Sequence, residues 1–538
     1  MKESATVFEL FSGAARQFAD RPFLHAPPET ARIYGLSKAD YTYREALSAV
    51  EELARRYASI GAGAGHRIAL ALENRPEFFL HFHALNSLGA GILPLNTAMQ
   101  RDEIRYQIEH SECALIVKAP QHRASLSETA SGSQSAPQVI DPGQLENSPP
   151  LIPAPVGASH REAAILYTSG TTGAPKGCIL SNDYFLAIGD LYAGLGGLVR
   201  FEPGKERIIT PLPVTHMNAL ACSFMAAIKT GGCLIQLDRF HPKSWWATMR
   251  ESGATVMHYL GVMPAMLLKA LETPDDDFRG RIKFAFGAGC DPRHHAAFEK
   301  RFGVPLIEAW AMTETGAGAW ITASHEPRHI GTRCFGRAPE GLDYRLVDEE
   351  GRDAENGAAG ELLVRRSGPD PRRHFFSGYF KDEAATEDAW RGGWFHTGDA
   401  VRVGEDGSFH FVDRLKNVIR RSGENIAAID VESALMRHDA VAACIVVSVP
   451  DEIRGDEVMA LVVPAGGRKD ESLARAIFNF AMENLAYFKA PGYIAFVDAI
   501  PATASEKVKR GEAKEIARKL LEAGACYDFN IFKKARKG

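Results

Sequence analysis

The sequence of 538 residues lacks an excess of charge of either sign. It contains 62 Lys and Arg against 67 Asp and Glu, which leaves a formal net charge of -5 at pH 7. Nucleic acids are bound through clustered Lys and Arg, so this balance argues against a nucleic acid as the main partner. The hydrophobic share of 45% is typical of an ordinary globular protein.

Paired cysteines and long apolar runs are also missing. The eight cysteines stand singly, without a C-x-x-C pair, so the sequence suggests neither a zinc site nor a disulfide framework. This cysteine usage favours a reducing cytoplasm. The amino-terminal segment contains Glu3 and Glu9 and has no long apolar core. We therefore expect an uncleaved cytoplasmic protein without a membrane span, which begins in a short amphipathic helix.

The length and the hydrophobic pattern predict an α/β fold in at least two domains. A chain of this size exceeds what a single core usually supports. Thr42 and Glu45 form a capping box before a helix that ends at Gly61, and a buried strand follows at 67–72. A second helix from Pro76 and a strand at 90–94 complete a β-α-β-α-β pattern, which is typical of a doubly wound sheet.

Two changes of pattern indicate how the chain is organised. Residues 119–160 are rich in Ser, Pro, Gln and Ala, and we predict an irregular surface connection there. After Asp413 the pattern restarts, with strands at 443–449 and 458–463 and a helix from Leu473. We therefore predict a large first domain over 1–413 and a smaller carboxy-terminal domain.

The segment YTSGTTGAPKG, at 167–177, has the composition of a phosphate-binding loop. Gly170 and Gly173 allow the backbone to turn several N–H groups toward one point, and Lys176 adds a cation. The hydroxyl groups that could donate to a polyphosphate belong to Thr168, Ser169, Thr171 and Thr172. A Walker loop would need Gly at Pro175 and Ser or Thr at Gly177, so this is a different phosphate cradle.

This segment resembles the signature loop of the adenylate-forming superfamily, which includes acyl-CoA ligases, adenylation domains of peptide synthetases and luciferases. Other motifs of that superfamily follow in the same order from about residue 167 to 510. The resemblance implies a large multi-sheet domain of doubly wound type over 1–413, a hinge at 414–416 in which Lys416 is the hinge residue, and a mobile α+β lid over 417–538. It also implies the use of ATP, Mg²⁺ and coenzyme A.

The resemblance further implies a nucleotide site made from several separate motifs. Asp399, in HTGDAV, matches the aspartate that binds both ribose hydroxyls, and Arg414 is expected near the ribose and phosphate. Glu314 matches the Mg²⁺ ligand, and Thr168 contributes to the catalytic site. The adenine pocket and the adjoining segment match Gly287, Ala288, Gly289, Trp310, Ala311, Met312 and Thr313. The superfamily usually has Tyr-Gly where this chain has Trp310-Ala311.

The remaining motifs imply residues for both half-reactions, formation of the acyl-adenylate and attack by the thiol. Lys507 matches the catalytic lysine that bridges the acid carboxylate and the α-phosphate, although Glu506 stands where Gly is usual. Gly423 and Glu424 match a segment beside a pantetheine tunnel. His216 matches a position near the acid carboxylate that gates access of the thiol.

We expect the acid pocket between 217–220, 259–263 and 316–320, which contain small or apolar residues with no evident counter-ion for a second charge. The resemblance favours an AMP-forming acid:CoA ligase, similar in overall character to bacterial crotonobetaine/carnitine-CoA ligases. Two alternatives remain open: an adenylation enzyme that loads a carrier-protein phosphopantetheine, and a weakened nucleotide-binding homologue. A homodimer is also left open.

Overall fold

The computed structural model describes residues 5–133, 136–154, 161–168, 174–348, 350–355, 357–414, 418–422, 424–501 and 510–535. The chain divides into two compact units. Unit 1 comprises Met1–Thr97, Arg101–Thr168 and Gly177–Val412, and unit 2 comprises Ala98–Gln100, Ser169–Lys176 and Asp413–Gly538. The predicted domain bounds and the hinge at 414–416 stay predictions.

Unit 1 alternates helices and strands over most of its length. Its α-helices are α1 (Val7–Gln17), α2 (Pro28–Tyr34), α3 (Tyr43–Ser59), α4 (Pro76–Ser87), α5 (Arg101–Ser111), α6 (Arg123–Ser131), α7 (Asn182–Gly194), α8 (Phe224–Thr230), α9 (Trp245–Glu251), α10 (Val262–Leu268), α11 (Pro292–Phe302) and α12 (Glu383–Ala389). A π-helix at Asn218–Ser223 leads directly into α8.

The strands of unit 1 are β1 (Pro22–His25), β2 (Asp40–Thr42), β3 (Arg67–Ala71), β4 (Gly91–Pro94), β5 (Leu115–Lys118), β6 (Gln138–Ile140), β7 (Glu162–Thr168), β8 (Lys176–Ser181), β9 (Arg207–Thr210), β10 (Cys233–Gln236), β11 (Val256–Leu260), β12 (Phe284–Ala288), β13 (Leu306–Trp310), β14 (Ile321–Thr322), β15 (Cys334–Arg337), β16 (Leu342–Val347), β17 (Gly360–Arg366), β18 (Gly378–Tyr379), β19 (Phe395–Val403) and β20 (Ser408–Arg414). One sheet has the order β16-β17-β19-β20-β15-β14-β13-β12-β11-β9-β10-β1-β2, and the other has the order β18-β8-β7-β4-β3-β5-β6. These two sheets confirm the predicted multi-sheet α/β fold.

The predicted capping box at the start of α3 is present. The Thr42 hydroxyl accepts from the Glu45 backbone N–H at 3.2 Å, and the Glu45 carboxylate accepts from the Thr42 N–H at 2.8 Å. The helix buries Ala46, Val50 and Tyr57 at the periodic positions that the sequence indicates. Local capping and the apolar stripe therefore agree on where this helix begins and which face it buries.

The prediction of a wholly irregular connection at 119–160 is wrong. This region contains α6 and β6, and β6 pairs in parallel with β5, with Ile140 opposite Val117. Leu126 and Ala130 of α6 are buried. A short edge strand and a short helix need few apolar residues, so the Ser- and Gln-rich composition concealed them.

Unit 2 has a sheet of its own. Its strands are β21 (Val418–Arg421), β22 (Glu424–Ala427), β23 (Val441–Asp451), β24 (Gly455–Pro464), β25 (Tyr493–Phe496) and β26 (Tyr527–Asp528), and its helices are α13 (Ala428–Leu435), α14 (Glu471–Asn484), α15 (Arg510–Glu522) and α16 (Asn530–Ala535). The fully buried Glu457 carboxylate binds Arg421 and Lys533, each at 2.7 Å, and thereby ties α16 to the sheet. Burial and the nearby Arg421 lower the pKa of Lys533 to about 7.

Candidate active site

Several predicted site segments meet at one edge of the larger sheet. Strands β11, β12 and β13 run in parallel, with Leu260 opposite Ala288 and Gly287 opposite Glu308. Their carboxyl ends therefore bring together the turn after β11, the motif Gly287–Gly289 and the segment that begins at Trp310. Ligands of open α/β sheets bind at this kind of edge.

Glu314 accepts two hydroxyl hydrogen bonds. Thr168, the last residue of β7, donates from its Oγ1 to Glu314 Oε1 at 3.2 Å, and the Tyr379 hydroxyl donates to the same oxygen at 3.1 Å. Glu314 is buried. Burial and the Glu314 carboxylate raise the pKa of Tyr379, so this phenol stays protonated as a donor. The structure thus places the root of the predicted phosphate loop against the predicted metal ligand.

Tyr379 is a site residue that the sequence did not predict. Strand β18 pairs antiparallel with β8, with Tyr379 opposite Cys178, and the phenol bonds the same Glu314 oxygen as Thr168. The strand is only two residues long. Its sequence therefore carries little period-two signal, and only the tertiary pairing reveals the contact.

The turn after Glu314 requires a glycine. Gly316 has a φ of +48°, and an added Cβ would lie 2.3 Å from the ring of Tyr184. The Tyr184 hydroxyl donates to the Thr313 backbone carbonyl at 2.9 Å. This close packing fixes the backbone on both sides of Glu314.

Trp310 and Asp399 contact each other directly. The indole Nε1 donates to Asp399 Oδ2 at 2.9 Å, and the Asp399 backbone N–H donates to the Thr397 hydroxyl at 3.1 Å. Trp310 is 6% exposed and Asp399 is 0% exposed. The structure therefore joins the predicted adenine-pocket tryptophan to the predicted ribose-binding carboxylate through one buried hydrogen bond.

A buried carboxylate holds the turn that follows the adenine motif. Glu308 accepts from the backbone N–H groups of Gly289 and Cys290, at 2.8 and 3.0 Å, and also from the Tyr259 hydroxyl. Burial raises the pKa of Glu308. At Gly287 an added Cβ would lie 2.1 Å from the Tyr259 carbonyl oxygen, so only glycine fits between the strands.

His216 precedes the π-helix at Asn218–Ser223. It is half-buried, and its backbone N–H donates to the Pro213 carbonyl at 3.1 Å. The buried His258 of β11 lies beside this helix, with its Nδ1 at 2.6 Å from Asn218 Oδ1 and 2.9 Å from Ser223 Oγ. His258 was not among the predicted site residues, because an isolated histidine inside an apolar strand carries no motif.

Other predicted residues belong to the second unit or lie outside the described part of the chain. Lys176 begins β8, Arg414 ends β20 and Glu424 begins β22, and all three belong to unit 2. Ser169, Gly170, Thr171, Thr172, Gly173, Lys416, Gly423 and Lys507 lie outside the described residues. Within the described part of the chain, no helix has both the length and the apolar character needed to cross a membrane.

The sequence matches two family models. The model described as AMP-binding enzyme matches residues 11–380, and the model described as AMP-binding enzyme C-terminal domain matches residues 430–507. The chain therefore belongs to the AMP-binding enzyme family, which confirms the predicted superfamily.

Similarity to individual proteins extends over nearly the whole chain. A sulfoacetate–CoA ligase of Cupriavidus necator is 29% identical over 519 residues, which cover 94% of this chain and 96% of that protein. A crotonobetaine/carnitine–CoA ligase of Escherichia coli is 27% identical over 492 residues, with 88% and 93% covered. These relatives confirm the predicted enzyme class, an acyl-CoA synthetase.

The solved structure of an amide bond synthetase from Marinactinospora thermotolerans has the same fold. It superposes with a TM-score of 0.79 at 23% identity and covers 94% of this chain and 99% of that protein. Because this fold also carries an amide bond synthetase, the fold alone does not identify the acyl acceptor.

Proposed function

We propose that this protein activates a carboxylic acid with ATP and transfers the acyl group to coenzyme A, with release of AMP and pyrophosphate. The observation that carries the proposal is the contact between Thr168, at the root of the signature loop, and the buried Glu314. Such a pair can hold the polyphosphate of a nucleotide and the cation that accompanies it.

The first step makes the acyl carbon of the acid a better electrophile, because it converts one carboxylate oxygen into part of a leaving group. A carboxylate oxygen attacks the α-phosphorus of ATP, the bond to the bridging oxygen of the β-phosphate breaks, and pyrophosphate leaves with the electron pair. Thr168, Ser169, Gly170, Thr171, Thr172, Gly173 and Lys176 bind the phosphates in this proposal. Lys507 offsets the charge on the transferred phosphoryl group.

Glu314 suits Mg²⁺, because this ion is commonly held by one or two carboxylates together with substrate phosphates. The hydroxyls of Thr168 and Tyr379 fix the orientation of the carboxylate. When bound there, Mg²⁺ would offset negative charge on the phosphates.

The nucleoside is bound by the turn after β12 and by the neighbouring strands. Gly287, Ala288, Gly289, Trp310, Ala311, Met312 and Thr313 form the adenine side of the proposed site. Asp399 binds the ribose hydroxyls, and Arg414 lies near the ribose and phosphate. The bond from Trp310 holds the Asp399 carboxylate in one orientation.

The second step is attack of the coenzyme A thiol on the acyl carbon of the mixed anhydride. The bond between that carbon and the phosphate oxygen breaks, and AMP leaves. In our proposal His216 controls access of the thiol, Gly423 and Glu424 contact the pantetheine chain, and Lys416 is the hinge that allows the lid to change position between steps.

Two alternatives are a carrier-protein loading enzyme and a weakened homologue. The relatives do not favour them, because the sulfoacetate–CoA ligase and the crotonobetaine/carnitine–CoA ligase are both acid–CoA ligases. We also propose a cytoplasmic location. A homodimer stays an untested prediction.

The proposal is tested with the purified protein, ATP, Mg²⁺, coenzyme A and pooled carboxylic acids. We expect a CoA thioester by mass spectrometry together with AMP and pyrophosphate, and loss of pyrophosphate exchange in Lys507→Ala. Efficient transfer to a carrier protein without any CoA thioester would instead support the adenylation enzyme, and undiminished exchange in Lys507→Ala would contradict the role of that lysine.

A further inference from the structure

Two buried polar groups and one half-buried amide form a hydrogen-bonded chain that ends at the proposed acid pocket. The Tyr192 hydroxyl of α7 lies 2.8 Å from His258 Nε2, and His258 Nδ1 lies 2.6 Å from Asn218 Oδ1. Tyr192 and His258 are both 0% exposed, whereas Asn218 is half-buried. The chain therefore leads from the interior to a residue that solvent reaches.

The direction of each hydrogen bond follows from the chemistry of its end groups. An amide oxygen only accepts, so His258 Nδ1 carries the proton and donates to Asn218, and Nε2 accepts from the Tyr192 hydroxyl. Burial lowers the pKa of His258 to about 3 and raises the pKa of Tyr192 well above its usual value. Both groups are therefore neutral, with fixed hydrogen positions, in the physiological pH range.

This arrangement leaves the Asn218 amide nitrogen available as a donor. The amide oxygen faces His258. In the described part of the chain the amide nitrogen has no protein partner, and it is not one of the polar atoms that are buried away from solvent. The Ser223 hydroxyl donates to the Asn218 backbone carbonyl at 3.2 Å, which leaves the Asn218 side-chain amide untouched. π-helical turns often occur at functional sites.

The surroundings of His258 and Tyr192, which hold this donor in place, are aromatic. The ring of Phe286 lies 5.5 Å from that of His258 and 4.3 Å from that of Tyr192, and the ring of Trp320 lies 6.2 Å from that of Tyr192. Burial alone accounts for the shifted pKa of His258, without a contribution from a charged neighbour. Among the described residues, the groups around His258 therefore offer no counter-ion for a charged group on the acyl chain.

We propose that Asn218 determines substrate specificity by donating its amide N–H to a neutral oxygen on the acyl chain, such as a keto, hydroxyl or ether oxygen. The proposal rests on the proposed function, because the acid pocket was assigned to 217–220, 259–263 and 316–320. His258 and Tyr192 are positioning residues, which keep the amide turned with its nitrogen toward the acyl chain.

The test uses matched pairs of acids that differ only by this oxygen. The panel contains straight-chain and aromatic acids, each with its keto, hydroxyl or ether analogue, and acids with a sulfonate or trimethylammonium group. We expect the wild type to prefer the oxygen-bearing member of at least one pair by about tenfold in kcat/KM, with the charged acids poorer than either member. No preference in any pair, or a preferred charged acid, would overturn the proposal.

Two variants at Asn218 assign the preference to its amide. Asn218→Leu removes the donor, and we expect equal kcat/KM for both members of the preferred pair. Asn218→Asp keeps an oxygen toward His258 but replaces the donor by an acceptor, so it should lose the preference for a keto or ether oxygen while still accepting a hydroxyl. A preference that survives in both variants would contradict the role of Asn218.

Tyr192→Phe and Ser223→Ala distinguish positioning from a general effect on folding. Tyr192→Phe removes the donor to His258 and should weaken the oxygen preference while kcat for the plain acid changes little. Ser223→Ala leaves the Asn218–His258 bond in place and should keep the preference; its loss would contradict the assigned chain. If no acid in the panel gives a thioester, the proposed function fails together with this inference, whereas thioesters formed without dependence on Asn218 overturn this inference alone.

Discussion

The hydrogen bond between Trp310 and Asp399 gives a quantitative test of the candidate site. The substitution Trp310→Phe keeps an aromatic ring but removes the indole N–H that donates to the buried carboxylate at 2.9 Å. A hydrogen bond to a charged group is worth about 1.5–3 kcal/mol, and we expect the free energy of unfolding to fall by that amount. The same loss corresponds to a decrease in ATP affinity of up to about 10- to 150-fold, if this bond orients Asp399 for the ribose.

A matched variant separates this bond from the loss of ring volume. Trp320 is similarly buried, and its Nε1 donates to the neutral Thr322 hydroxyl at 2.6 Å. Trp320→Phe should therefore cost about 1 kcal/mol less than Trp310→Phe. Because all six tryptophans lie in unit 1, tryptophan fluorescence during urea unfolding reports on this unit. Equal costs in the two variants, or unchanged ATP affinity in Trp310→Phe by calorimetry, would refute the corresponding part of the reasoning.

Three further predictions concern charge and burial. Glu314→Gln keeps the shape of the side chain but removes its charge, so the Mg²⁺ concentration for half-maximal pyrophosphate exchange should rise about 10- to 100-fold; an unchanged Mg²⁺ titration would contradict the proposed metal ligand. His83 is fully buried and neither ring nitrogen has a hydrogen-bond partner among the described residues, so His83→Phe should raise the free energy of unfolding by about 1–3 kcal/mol; a decrease in urea unfolding experiments would contradict this. Burial lowers the pKa of His81, His83 and His258 to about 3 in the folded protein. Below about pH 6.5 the unfolded chain therefore binds more protons than the folded protein does. We expect the free energy of unfolding to be lower at pH 5 than at pH 7 by about 2 kcal/mol per histidine. Unfolding curves at pH 7 and 5 check this, and the His83→Phe variant should lose less stability than the wild type.

The sequence predicted well those parts of the fold that depend on local signals. The capping box of Thr42 and Glu45 and the apolar stripe of α3 lie within a few residues of each other, so their pattern is readable along the chain. The strand predicted at 67–72 was likewise evident from its apolar run, and the structure has it at Arg67–Ala71. In contrast, β6 depends on pairing with β5, and its three residues alone are too short a run to indicate a strand.

In the candidate site, too, residues within sequence motifs were predicted and residues that reach the site through tertiary pairing were not. Thr168, Glu314, Trp310 and Asp399 were predicted because they belong to motifs, and the structure brings them into two direct contacts. The residues that orient such groups were missed. Tyr379 reaches the site through a cross-strand pair far away in sequence, and pairings of this kind leave no signal in a single sequence.

The central claim is that a carboxylate oxygen of the substrate attacks the α-phosphorus of ATP. The most direct test uses an acid that the enzyme accepts as a substrate, with both carboxylate oxygens replaced by ¹⁸O. The products are then analysed by mass spectrometry. Our account predicts one ¹⁸O atom in the phosphate group of AMP and none in pyrophosphate. ¹⁸O in inorganic phosphate with formation of ADP, or thioester formation without labelled AMP, would contradict it.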